Sequence, residues 1–269
     1  LTAAATAAPV QAQSWRTVTM ARQLSTEGAL EVDVFYGAGR FRVGPAEAGT
    51  LYRAQLRYDE DSFEPVAELD GDHLRLGTES LGRRTRIRSD DRSGELDVRL
   101  SPDIPLDLNL DFGAVRADID IGGLRVTGLD VATGASETRF EVSEPNREVI
   151  RRARFDVGAA EFKAYRLGNL NARRIDVNAG VGHLTLDFTG EWRADAEVAI
   201  DMGLGALELR LPEGVGVRIE KDTFLTGFDA QGLVKRGDAY YSLDYEDADV
   251  RIDIAIDAAF GSIDIVWVR

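Results

Sequence analysis

The chain has 269 residues, a net charge of −15, 44% hydrophobic content, 27 glycines and no cysteine. Its acidity argues against a nucleic-acid partner, which needs a basic stripe, and no apolar run is long enough for a membrane-spanning helix. Disulfides and thiolate chemistry are excluded outright, and the length suffices for a large continuous core without division into separate domains.

Residues 1–14 resemble the end of a secretory signal, with small residues leading to Val10-Gln-Ala12 and a cleavage point before Gln13. The next expected elements are a strand at Trp15–Met20, a turn at Ser25–Gly28, a long alternating segment at Leu30–Val43, and strands at Leu51–Tyr58 and His73–Leu76. Arg83, Arg84, Arg86, Arg88 and Arg92 then cluster beside Asp90, Asp91 and Glu95. This run reads as a solvated hairpin rather than a phosphate or lipid site.

From there a single design repeats. Ile175–Phe188 is a strand, a glycine and a second strand, and Gly37, Gly113, Gly134, Gly158, Gly203 and Ala259 align with Gly180. From Gly113 to Gly203 the steps are 21, 24, 22 and 23 residues, a period that marks a stacked repeat. Apolar residues stand one, three and five places before the glycine, as in Phe112, Leu110 and Leu108. They stand four, six and eight places after it, as in Leu184, Leu186 and Phe188. Such alternation predicts strands with one wet face, and the change of phase at the glycine predicts a corner. Glycine suits a corner through positive φ and close backbone approach. Asp176, Thr185 and Asp187 fall on the predicted wet face, so Asp187→Ala is expected to be nearly silent, whereas Leu186→Asp should unfold the protein.

Three departures are expected. The 76 residues between Gly37 and Gly113 leave room for further, poorly matching rungs. Ser143–Arg151 suggests a helical turn between rungs. The 56 residues between Gly203 and Ala259 suggest a hairpin covering the open end, before the final motif at Ile252–Val268. The expected fold is therefore an all-β solenoid of about 22-residue rungs with glycine corners. It is organised as a leader at 1–14, an N-terminal β region at 15–95 and a continuous repeat region at 96–269.

The Gly-Ala/Val-Gly turns, the run Leu184–Trp192 and the run Leu207–Gly216 resemble the toast-rack proteins, and Leu30–Leu76 is similar to their N-terminal domain. That resemblance implies a β-solenoid of the bacterial envelope, related to adhesin-like proteins and to the C-terminal part of cell-wall-active-antibiotic response regulators. It brings no catalytic residues to this chain.

The candidate chemistry is sparse. Asp111, Asp156, Asp201 and Asp257 stand two places before the corner, with Asp33, Asp130 and Asp176 four before, and Ala132 and Asn178 interrupt the series. These carboxylates could hold calcium, although the calcium-solenoid nonapeptide is absent, or Asp156, Asp176 and Asp201 could serve a carbohydrate-active enzyme. A solvated acidic face is the simpler reading. The outward columns Arg116, Glu137, Glu161, His183 and Asp118, Arg139, Lys163, Thr185 form a mixed-charge ladder. Tyr240, Tyr241 and Tyr245 read as edge packing in preference to a sugar platform. His73 and His183 stand at unrelated places, and no Gly-x-Ser-x-Gly or HExxH motif occurs. No catalytic, cofactor-binding or metal-ligating residue is assigned, and no cofactor is expected. The expected function is a secreted, non-enzymatic binding or scaffold module with an envelope component or a protein as partner. A carbohydrate-active enzyme and an envelope-stress regulator are the alternatives.

Overall fold

The computed structural model describes residues 14–25, 28–82 and 94–269. The leader before residue 14, the centre of the expected turn at Ser25–Gly28 and all five arginines of the run therefore lie outside the described residues. The described chain is all-β and forms a mixed sheet. Its strands are β1 (Trp15–Gln23), β2 (Leu30–Pro45), β3 (Thr50–Asp59), β4 (Phe63–Asp70), β5 (His73–Ser80), β6 (Glu95–Leu100), β7 (Pro105–Asp120), β8 (Arg125–Thr133) and β9 (Glu137–Glu141). There follow β10 (Ala153–Tyr165), β11 (Arg174–Asp187), β12 (Ala196–Pro212), β13 (Gly216–Thr223), β14 (Thr226–Asp229), β15 (Leu233–Arg236), β16 (Ala239–Ser242) and β17 (Arg251–Val268). None of the described helical segments is long and apolar enough to cross a membrane.

Six long strands, β2, β7, β10, β11, β12 and β17, carry an inward set of side chains before the corner and another after it. In β11, Ile175, Val177, Leu184 and Leu186 are all buried, while Asn178 and His183 on the other phase are exposed. Burying each such Leu or Ile stabilises the fold by about 1.5–3 kcal/mol relative to leaving it in water. The strands pair in parallel and in register: Ala153 faces Ile175, Ile175 faces Val198, and Val198 faces Ile254. The halves before and after the corner thus form two hydrogen-bonded walls around one apolar core that runs from Leu30 to Ile265.

The corner column is crowded. An added Cβ at Gly113 would lie 2.5 Å from the Gly37 carbonyl oxygen, and one at Gly203 would lie 2.6 Å from that of Gly180. Close approach, rather than positive φ, is what these corner positions require. The left-handed conformations lie two residues later, at Gly182 and Gly205, both with φ +151°.

The first long interval resolves differently from the expected extra rungs. Tyr36 pairs directly with Phe112, so no layer lies between Gly37 and Gly113. The intervening chain folds outside β2 instead: β4 and β5 pair antiparallel on one wall, and β1, β3 and β6 pair antiparallel on the other. At the far end β17 lies directly against β12, and the excursion before it lies beyond β17. There β16 pairs antiparallel with β13 and β15, the covering hairpin that the sequence suggests. Antiparallel ends satisfy backbone groups that a parallel stack would otherwise leave open.

The third side is made of loops tied by asparagines. The Asn146 amide donates to the Val126 carbonyl at 2.8 Å and accepts from the Val126 N–H at 3.1 Å. Asn169 donates to the Val142 carbonyl and accepts from the Glu191 N–H, both at 2.8 Å. Residues 143–151 hold bends rather than the expected helical turn. The short 3-10 turn falls one layer later, at Leu167–Leu170, where Leu167 and Leu170 pack into the core.

Candidate functional site

Register converts sequence columns into surface features. Two places before the corner, Asp111, Ala132, Asp156, Asn178, Asp201 and Asp257 stand in adjacent layers, and Asp222 of β13 extends the series beyond Asp257. Together with the glycine edges, most of this column lines an open groove of about 710 Å3. Asp156 accepts a hydrogen bond from Asn178 at 2.6 Å. Asp201, Asp257 and Asp222 are exposed and have no hydrogen-bonded or ion-paired partner among the described residues.

The column four places before the corner is neutralised instead. Asp176 is buried, not solvated as expected, because Arg152 and Arg174 fold over it; the Arg174 Nε donates to it at 2.8 Å. Arg154 reaches Asp130 at 3.3 Å. Burial pushes the Asp130 carboxyl up from its ordinary range, with Arg154 opposing the shift and Asp107 and Asp156 adding to it. Of the three aspartates considered for acid–base work, Asp176 is thus held between two guanidiniums. Asp156 and Asp201 stand two layers apart, about 10 Å by ordinary strand spacing, with Asn178 between them.

Asp187 also departs from the expected wet face. It is buried, accepts the Thr189 N–H at 2.8 Å and lies 3.8 Å from the Arg210 Nε. The mixed-charge ladder includes Arg116–Glu137 at 2.9 Å and Lys163–Glu161 at 2.6 Å, with His183 exposed next to Glu161. Tyr241 and Tyr245 meet edge to face at 5.0 Å and carry Arg218, Arg236 and Arg251 against their rings, while Tyr240 packs on Phe228 at 4.8 Å.

Two features go beyond the columns read from the sequence. At the N-terminal end, ligand atoms of Glu31, Asp33 and His73 lie within 4.8 Å of one another. A divalent cation there would replace the existing contact of His73 Nε2 with Asp33 at 2.8 Å, while Asn109 steadies the same carboxylate at 3.0 Å. His73 reaches Glu31 only because β5 pairs with β2, which no motif spacing reveals. The second feature lies one place after the corner, where Ala159, Val181, Leu204 and Phe260 are in-register neighbours that grow in size toward the C-terminal end. Listing that column beside the others would have exposed it.

Residues 9–164 and 146–210 match the family described as the N-terminal domain of toast_rack, DUF2154. The chain belongs to this family. The two overlapping toast-rack matches cover the asparagine-tied loops, four of the six long strands and β12 as far as residue 210. No curated protein matches the sequence. Among solved structures, a candidate cell adhesion protein from Clostridium sporogenes is 18% identical, covers 95% of this chain and 100% of its own, and gives a TM-score of 0.49. A candidate adhesin from Bacteroides fragilis is 11% identical with a TM-score of 0.40, covering 93% of this chain and 97% of its own. A candidate lipid-binding protein from Parabacteroides distasonis has the same identity, coverage and TM-score. At these scores the likenesses assign no ligand to this toast-rack chain.

Proposed function

We propose that this toast-rack protein is a β-solenoid of about 22-residue rungs that serves the bacterial cell envelope as a non-enzymatic, adhesin-like binding or scaffold module. The in-register parallel pairing of β7 through β12 at that spacing supports the solenoid reading. The binding reading rests on one observation: an open acidic groove runs beside a solvent-facing apolar column on the same corner. Contiguous exposed apolar surface of this kind marks interaction sites. Of the carboxylates weighed for catalysis, Asp176 is committed to ion pairs with arginine.

Incubation with peptidoglycan and glycan arrays, assaying retained and cleaved material together, tests the proposal. Retention of intact fragments is the expected result. Shortened fragments, with the cleavage lost in Asp156→Asn, would replace this reading with that of a carbohydrate-active enzyme.

A further inference from the structure

Five large apolar side chains gather at the C-terminal end of the corner with much of their surface in water: Val181 at 51%, Leu204 at 49%, Phe260 at 44%, Phe224 at 66% and Leu225 at 73%. Three of them are successive members of one column, since Val181 faces Leu204 and Leu204 faces Phe260. Phe224 continues the ridge by meeting Phe260 edge to face at 5.8 Å. The backbone beneath is fixed, with the Phe224 N–H donating to the Ala258 carbonyl at 3.1 Å.

Along the flank of this ridge run Asp201, Asp257 and Asp222, three adjacent layers in register and about 4.8 Å apart. Like charges directly opposite one another destabilise a sheet, and no described lysine or arginine pairs with these three. The neighbouring Lys221 donates instead to Thr223. An apolar strip and an uncompensated anionic strip, parallel and side by side, define the complementary shape.

We propose that the ridge docks a segment of another protein in which lysines or arginines run alongside bulky apolar side chains, an inference that rests on the corner being the binding surface. A basic amphipathic helix fits the spacing: residues i and i+3 rise about 4.5 Å along a helix, close to the separation of the layers. Docking would bury the apolar ridge and give the three aspartates their missing cations. The same aspartates repel anionic lipid, and a second copy docking through the same corner would set like charges against one another.

The test is fluorescence anisotropy with a 14-residue Lys/Leu amphipathic peptide as probe, alongside retention of envelope fragments by the same proteins. The wild type should bind the peptide, and more weakly as salt rises. Leu204→Ser/Phe260→Ser should lose at least about tenfold in affinity, which is the scale of one buried anchor. Asp201→Asn/Asp257→Asn/Asp222→Asn should lose both affinity and salt dependence. All five side chains are exposed, so circular dichroism should show both variants folded. Equal peptide binding by wild type and variants would overturn the proposal. So would binding of phosphatidylglycerol vesicles instead of the peptide, or a wild-type dimer in light scattering that the ridge variant abolishes. If the peptide fails to bind but the ridge variant still loses envelope fragments, the corner remains the binding surface and the cationic partner falls. If neither responds to the ridge, both readings fall.

Discussion

Replacing Asp187 with alanine should destabilise the protein by about 1.5–3 kcal/mol, although its place in the strand alternation marks it as a wet-face residue. The carboxylate is buried and accepts the Thr189 N–H at 2.8 Å where the chain leaves β11. It is also the nearer acidic neighbour of Arg210, at 3.8 Å, with Glu208 at 4.0 Å; the Arg210 Nε is buried with no hydrogen-bond partner, so the Asp187 charge is what offsets it most closely. Hydrogen bonds to charged groups contribute about 1.5–3 kcal/mol, and a buried donor left without its partner costs a similar amount. Asp187→Asn keeps an acceptor for Thr189 and should lose less. Leu186→Ala, on the inward face of the same strand, should cost about 2–5 kcal/mol through lost burial and a cavity. Urea unfolding followed by circular dichroism measures all three, with midpoints shifting at constant slope. An Asp187→Ala protein within about 0.5 kcal/mol of wild type, the range of an ordinary surface change, would refute the reasoning.

Other predictions follow from single contacts. Gly182→Ala should cost about 2 kcal/mol or more, because φ is +151° and the new Cβ would fall 1.9 Å from the Ala160 carbonyl oxygen. Gly28→Ala, with open space around it, should be near neutral in the same unfolding experiment. Asn169→Ala orphans the buried Val142 carbonyl, at about 1–3 kcal/mol, and removes the acceptor of the part-buried Glu191 N–H; a thermal midpoint unchanged from wild type would contradict this. Burial pushes the Tyr36 hydroxyl up from its ordinary value of 10.0, with Glu95 adding to the shift. Its contribution to stability is therefore complete below the unfolded value and is lost as alkalinity rises through the raised one. Denaturation measured across that alkaline range should show a smaller loss in Tyr36→Phe than in the wild type.

Alternation and glycine spacing made the local design legible, because inward phase and corner position are set within each strand. The buried columns through Leu184, Leu186 and Phe188 and through Leu207, Leu209 and Leu211 follow directly from that pattern. Strand neighbours outside the tight repeats were not legible. Nothing in Tyr36 specifies Phe112 as its neighbour, and nothing in Ile252 places it between Ala196 and Val217. Those choices are made by long-range backbone pairing, which alternation alone leaves undetermined. The buried Asp176 and Asp187 were missed for a related reason. Their polarity matches a wet face, yet arginines on their own or neighbouring segments lie against them. The carboxylates of the groove were legible as a column, and the apolar column one place after the corner was equally open to listing; its exposure to solvent is what the structure adds.

The absence of native cysteine allows the layer order at the corner to be tested directly. In Asp201→Cys/Asp257→Cys, two positions far apart in sequence become facing neighbours of adjacent strands, a separation of about 5 Å that suits a disulfide. Mild oxidation of the folded protein, read by intact mass and by peptide mapping, should give one intramolecular bond in nearly every molecule. Two free thiols in a protein that remains folded would show that β17 does not lie against β12, and the corner groove and its ridge would have to be abandoned.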